Sequence, residues 1–279
     1  MTEHTPAQPN AASPSVTASA GAARSTRPMR VWALALLLPL PACGSSFGWH
    51  VVDPRSPTGW SNLTFILEGF AATIQVSLAA MALSIVLGLV IALAGGAPLR
   101  PLRLFARVWV EGFRSVPILV MILWAFYGLP IVTGIRLEVF AAAVLAIALC
   151  DSAFEAEIFR AGIQSVEHGQ REAASALGLS RWHAMRFVIL PQAIRRILPA
   201  LGNQFIYVVK MSSLASVIGL PELTRKANEL VVTVFRPLEV YTVLIVCYLV
   251  LVLAISAAVR WLERRLAVTG RTPGRMEPG

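Results

Sequence analysis

Along this chain, long uncharged runs alternate with short clusters of arginine. The runs are Val31 to Trp49, interrupted by Pro39 and Pro41; Phe70 to Leu99; Ser115 to Ile135; Val139 to Cys150; Pro191 to Leu220; and Val240 to Val259. A bilayer core about 30 Å thick takes about 20 helical residues, each rising about 1.5 Å. Only the Val139 run is short, and it reaches that length if the span continues through Asp151, Glu155 and Glu157. Inside hydrocarbon every backbone N–H and C=O must be paired within the segment, so the spans are predicted to be helices. The expectation is an all-α polytopic membrane protein with core spans at about 70-96, 115-135, 138-157, 191-218 and 239-260. A further N-terminal transmembrane helix is expected at 31-49. Residues 1-30, rich in Ala, Ser, Thr and Pro, cannot bury enough apolar surface to offset their ordering entropy. They are expected to be a disordered cytoplasmic tail, with a second cytoplasmic tail at 267-279.

Composition agrees with a lipid-embedded chain. Of 279 residues 56% are hydrophobic and 14% charged, against about 45–50% and about 25% in soluble domains. The formal charge of +9 could reflect nucleic acid, anionic lipid or cytoplasmic loops. Position decides among these, because short cytoplasmic loops carry the Lys/Arg excess. Placing the N-terminus inside puts 18 of the 24 bases on the cytoplasmic side, including Arg100, Arg103, Arg107 and Arg114 after the second run. Arg160, Arg171, Arg181, Arg186, Arg195 and Arg196 join them after the fourth. Six spans with both termini cytoplasmic follow, and nucleic-acid binding is not needed to explain the charge.

Catalytic and metal signatures are weak. Gly44-Ser45-Ser46-Phe47-Gly48 matches a nucleophile-elbow pattern but ends a hydrophobic run instead of joining a strand to a helix. His4, His50, His168 and His183 are scattered, and Cys43, Cys150 and Cys247 lack ligand spacing, so no metal site or disulfide framework is expected. No G-x-x-x-x-G-K-[ST] loop is present, so a pump built on this chain needs ATP bound by a partner subunit, with no cofactor in the chain itself. Arg27, Arg30, the apolar run after them and Leu40-Pro41-Ala42-Cys43 imitate a lipoprotein signal. Pro41 fits that signal poorly, and the segment is expected to be a retained anchor.

The most informative stretch runs from Phe159 to Ile189, expected to be a cytoplasmic loop. Gln170 to Ala176 are mostly good helix formers, with Ala173, Ala176 and Leu177 on one face, and Gly178 suits the left-handed position that stops a helix. Ser180 can cap a second helix leading to Leu190-Pro191. On the residues alone, a solvated amphipathic loop is an equally good reading.

Glu172-Ala173-Ala174, three residues, Gly178, nine residues, Val188, one residue and Leu190-Pro191 resembles the EAA loop of ATP-binding-cassette (ABC) importer permeases, with Val188 where Ile is usual. Ser152 to Arg160, Gly169-Gln170, Phe113-Arg114-Ser115-Val116-Pro117, Lys210 to Ser216 and Phe235-Arg236-Pro237 are similar to the subfamily that takes up polar amino acids. The similarity covers about residues 68-266. It implies a MetI-like type I ABC permease fold with five core transmembrane helices, the helix at 31-49 being additional. It also implies ABC ATPase subunits, an extracytoplasmic solute-binding protein, and a homologous or identical permease subunit as partners in the bacterial cytoplasmic membrane. Glu172, Ala173, Ala174, Gly178, Leu190 and Pro191 would form the ATPase-coupling loop. Ser115-Val116, Met121 and Met211-Ser212 depart from the subfamily's common residues, which bears on the solute. A self-sufficient secondary transporter or channel is the rival reading, but no inverted repeat supports it.

Four charged residues in or near the spans are candidates for the pathway or a subunit interface. Asp151, Glu155 and Glu157 sit where the fourth run is expected to reach the cytoplasmic surface; pairing, for instance of Glu157 with Arg160 one turn later, and solute contact both remain open. Lys210 interrupts an otherwise uncharged stretch and is expected to point into the bundle or a subunit interface, with snorkelling to the outer boundary as the alternative. Between Pro221 and Pro237, the spacing of Glu222, Arg225, Lys226 and Glu229 predicts a short polar helix on the outer face. It could be a docking surface for a solute-delivering protein or a plain solvated face.

Overall fold

A computed structural model describes residues 48–267. The N-terminal tail, the 31-49 helix up to Phe47, the Gly44 to Phe47 part of the elbow-like pattern, the Cys43 signal and the C-terminal tail beyond Ala267 lie outside the described residues.

A 3₁₀ turn at Trp49–Val52 leads to helix α1 (Pro57–Leu67). Ser56 caps α1 by accepting the Gly59 N–H at 3.0 Å, and Pro57 opens the helix where no backbone donor is needed. Helix α2 (Gly69–Gly96) follows almost without interruption, and together they form a 40-residue apolar rod, longer than the expected 70-96 span. Polar residues inside α2 turn back on the helix: Thr73 and Ser77 donate to the carbonyls of Gly69 and Thr73 at 3.0 and 2.6 Å.

Arg100 to Ser115, expected to be a loop, is helix α3. The chain then turns by 100° into α4 (Ile118–Thr133), which widens to a π-helical stretch over Trp124–Gly128. The turn has a local cause, since Pro117 holds Val116 in an extended conformation, ψ 127°, and stops α3. The expected 115-135 span therefore begins at Ile118.

Helix α5 (Val139–Gln164) is longer than the expected 138-157 span, because the sequence past Glu157 keeps its helical preference and buries Gly162. It forms the centre of the bundle. Ala142, Ala143, Ala146, Ala153 and Ala156 along it are almost completely buried and let neighbouring helices approach closely. Its main neighbour is α2, where a Cβ added at Gly88 would lie 2.5 Å from Glu155 Cβ. Late α2 therefore lies beside late α5, and Ile91, Ala106 and Ala156 form a small cluster with α3 there.

Helix α6 (His168–Ala176) is followed by a three-residue turn, Arg181–His183, a π-helical stretch, Ala184–Ile189, and α7 (Leu190–Met211). The α-helix of the expected 191-218 span stops at Met211 and tightens to 3₁₀ over Ser212–Ile218, where Ser212 and Ser213 donate to the carbonyls of Val209 and Lys210. Helix α8 (Leu223–Val234) then leads to α9 (Pro237–Ala267), which extends beyond the expected 239-260. Among the described residues, three helices are long and apolar enough to cross a membrane, or up to five if each bent pair counts as one span. Cys150 and Cys247 are free thiols packed inside.

Candidate coupling surface and solute pathway

The Phe159 to Ile189 region begins as the last part of α5 and turns out of the bundle only after Gln164. A cluster of Val166, Ile189, Ala193 and Ile197 anchors it underneath. Close approach is required there, since a Cβ at Gly162 would fall 2.1 Å from Ile197 Cγ1. The Arg196 guanidinium donates to the Ser165 carbonyl, and Gln192 donates to Gln170 Oε1 at 3.3 Å and to the Val188 carbonyl at 3.0 Å. These contacts fix α6 against the start of α7.

The end of α6 is a Schellman cap. The Leu179 N–H donates to the Ala174 carbonyl and the Gly178 N–H to that of Ser175, both at 3.0 Å. Gly178 has φ +74°, the conformation that only glycine adopts without strain. Ser180 then caps the following turn, accepting the His183 N–H at 3.4 Å while its hydroxyl contacts His183 Nδ1 at 2.7 Å.

Glu172, Ala173, Gly178, Leu190 and Pro191 are exposed. Ala174, expected in the same coupling loop, is buried, whereas Ala173 beside it is exposed. Adjacent helical positions lie about 100° apart, and the face bearing Ala174 packs on Ala184–Ile189. The outward surface has large apolar components instead: Leu177 is 80% exposed, Trp182 67% and Phe187 63%. The family-like spacing drew attention to the alanines. The sequence signal for Trp182 and Phe187 is their aromatic character beside Arg181 and Arg186.

The four pathway candidates do not converge. Asp151 and Glu155 are buried in α5. Because the helix continues to Gln164, Glu155 lies about 13 Å from its end at about 1.5 Å per residue. Asp151 Oδ1 accepts from Gln204 Nε2 of α7. Among the described residues Asp151 Oδ2 and both Glu155 carboxylate oxygens have no hydrogen-bond partner. Glu157, half exposed, accepts from Arg114 at 2.7 Å and lies 3.8 Å from Arg160. The expected i,i+3 partner is therefore the weaker of two, and the stronger comes from α3, which also places Arg114 over the Phe154 ring.

Lys210 is exposed on the last turn of α7 and does not enter the packed core. It lines a cleft of about 480 Å³ with Ser213 and, from α9, Ile245, Tyr248, Leu249 and Val252. Six residues separate it from Gln204, about 9 Å along and roughly 120° round the helix, so the ammonium is directed away from Asp151. Among the described residues the ammonium has no hydrogen bond or ion pair. Snorkelling by this lysine would run along the α9 wall.

Helix α8 differs from a plain polar helix. Glu222 is fully buried as its cap, accepting the Arg225 N–H at 2.7 Å and the Tyr248 hydroxyl at 2.8 Å. Lys226 pairs with Glu68 at 2.8 Å and lies over the Phe65 ring, while Arg225 and Glu229 pair on the exposed side.

Residues 84–268 match the family model described as "Binding-protein-dependent transport system inner membrane component". The glutamine transport system permease protein GlnP of Escherichia coli (strain K12) is 39% identical over 231 residues, covering 80% of this chain and 99% of that protein. The arginine transport system permease protein ArtQ of Bacillus subtilis (strain 168) is 34% identical over 204 residues, covering 73% and 93%. A crystal structure of an amino acid ABC transporter superposes with a TM-score of 0.71 at 40% identity, over 77% of this chain and 99% of the other. The MetNI methionine ABC transporter, in an inward-facing conformation, shares the fold at 20% identity with a TM-score of 0.63. A bundle with a capped surface helix, matched by the family model over most of its length, identifies this chain as a member of the binding-protein-dependent transport system inner membrane component family, a multi-pass permease subunit.

Proposed function

We propose that the chain carries polar amino acids, or related small polar solutes, into the cytoplasm as the non-catalytic permease subunit of an ABC importer. The observation that carries this reading is the 39% identity to a glutamine permease over nearly that protein's whole length. ATP is bound by separate ATPase subunits, solute arrives on an extracytoplasmic binding protein, and a second identical or homologous permease completes the pathway. Both termini and α6 face the cytoplasm of a bacterial inner membrane, a reading that the arginine distribution supports.

In this reading α6 meets the ATPase. A short, capped helix transmits a displacement with little loss, and Leu177, Trp182 and Phe187 supply apolar area for a groove while Glu172 meets a basic partner. Lys210 faces the second permease or the pathway, where its ammonium can attract a carboxylate. Asp151 and Glu155, enclosed in the bundle, act through the α5 and α7 packing. The test is copurification of the chain with a nucleotide-binding subunit, followed by uptake of radiolabelled glutamine, arginine and glutamate in proteoliposomes with the binding protein outside. Uptake that needs ATP inside and binding protein outside is the expected result. Uptake by this chain alone would mark a secondary transporter.

A further inference from the structure

Helix α3 has three distinct faces. Ala106, Trp109 and Val110 pack toward α2 and α5, and the Trp109 indole donates to Ser152 Oγ at 3.1 Å. At about 100° per residue, Arg100, Arg103, Arg107 and Arg114 form a second stripe, and Leu104, Phe105 and Val108 a third, which is exposed. Because α3 bends 100° away from α4, a membrane-crossing α4 leaves α3 near the membrane plane. An amphipathic helix in that orientation, basic on one side and apolar on the other, sits at the level of the phosphates.

The basic stripe does not face open water. It borders a crevice of about 730 Å³ whose other walls come from Ile91, Ala92 and Gly95 of α2 and Ala156, Glu157 and Arg160 of α5. Glu157 is occupied by Arg114 and Arg160. Among the described residues, the Arg103 and Arg107 guanidinium groups have no hydrogen bond or ion pair, and Glu111 is the other carboxylate on the wall. The crevice thus combines two unmatched guanidinium groups with small apolar walls, and the exposed apolar stripe lies next to the basic stripe round the same helix, where acyl chains can follow it. Arginine holds phosphate oxygens in a bidentate fork.

We propose that this crevice binds the headgroup of an anionic phospholipid, with Arg103 and Arg107 holding its phosphate and the acyl chains lying along Leu104, Phe105 and Val108. The site is independent of which solute is transported. A small soluble anion would leave most of the volume unfilled and make no use of the apolar stripe.

The test is titration of the purified full chain in detergent with phosphatidylglycerol or phosphatidylcholine, followed by native mass spectrometry. Wild-type protein should retain phosphatidylglycerol in preference to phosphatidylcholine. The double variant Arg103→Gln/Arg107→Gln should bind it about 25-fold more weakly, each arginine near a lipid surface being worth about a factor of five. Glu111→Gln, which removes the remaining carboxylate from the wall, should tighten binding, a direction that damage to the fold would not produce. Arg136→Gln, beyond the far end of α4, should leave binding unchanged. Equal retention of the two lipids, loss of no affinity in the double variant, or displacement of phosphatidylglycerol by excess inorganic phosphate would each overturn the proposal, the last by making this a small-anion site.

Discussion

At the scale of single residues, the closest constraints are glycines between helices. A side chain at Gly88 meets Glu155 Cβ at 2.5 Å and backbone atoms of α5 at 3.0 Å, so neither neighbour can move aside cheaply. Gly88→Val should lower the stability of the detergent-solubilised protein by about 1–3 kcal/mol, the usual cost of overpacking. Gly112 provides the contrast: it lies in α3 with nothing within 4 Å of an added Cβ. Gly112→Ala should gain about 0.5–1 kcal/mol through helix propensity. Thermal melts of both variants check the pair, and equal effects would mean that α2 and α5 are not in contact at Gly88. Lys210 is constrained by charge instead. Lys210→Met should leave membrane insertion and assembly intact but reduce uptake at least severalfold; unchanged transport would leave the lysine with snorkelling alone.

At the scale of elements, α6 acts as a rigid unit only while its C-terminal cap holds. Gly178→Val places a β-branched residue at φ +74° and should tilt or fray the helix. Glu172→Lys leaves the helix intact but reverses the charge at its exposed surface. Both should abolish solute-stimulated ATP hydrolysis and uptake at equal permease abundance, with Gly178→Val also weakening ATPase copurification. Coupling at wild-type level in both would reduce α6 to a solvated connector. The family-like spacing from Glu172 to Pro191 made this element legible, and Gly178 marked its end. The inward turn of Ala174 and the outward Leu177, Trp182 and Phe187 depended on which face of α6 meets Ala184–Ile189, and that is a packing outcome.

For the whole molecule, the proposed orientation places the arginine-rich end of the bundle in the cytoplasm. Helix α6 lies beside the start of α7, whereas α8 follows the far end of that helix. Single cysteines at Ala173 and Thr233, in a chain lacking Cys43, should therefore label differently with an impermeant maleimide in spheroplasts. Thr233→Cys should react and Ala173→Cys should react only after permeabilisation. The reverse pattern would invert the topology and detach α6 from any cytoplasmic ATPase. The apolar outer sides of α9, including Ile245, Leu249 and Leu253, and of α4, including Val120, Trp124 and Ile131, leave ample surface for lipid and a second permease.

The sequence by itself determined the family, the helical class and the place of the capped helix that follows α5, because each follows from short-range information. Uncharged runs long enough to cross a bilayer must become helices, and a motif with fixed spacing fits on a single loop. It also placed the glycine that ends α6, since positive φ is a local property of the backbone. Only the tertiary structure decided that Arg100 to Ser115 is a helix turned 100° from α4, for its stability comes from docking Trp109 and Ala106 against α2 and α5. It likewise decided the fate of the charges. Glu157 found Arg114, 43 positions away; Glu222 found Tyr248, 26 positions on; and Asp151 found Gln204. No periodicity encodes those partners, because burial and pairing depend on which helices meet, and that is fixed by the fit of small residues such as Gly88 and Gly162 to the helices opposite them.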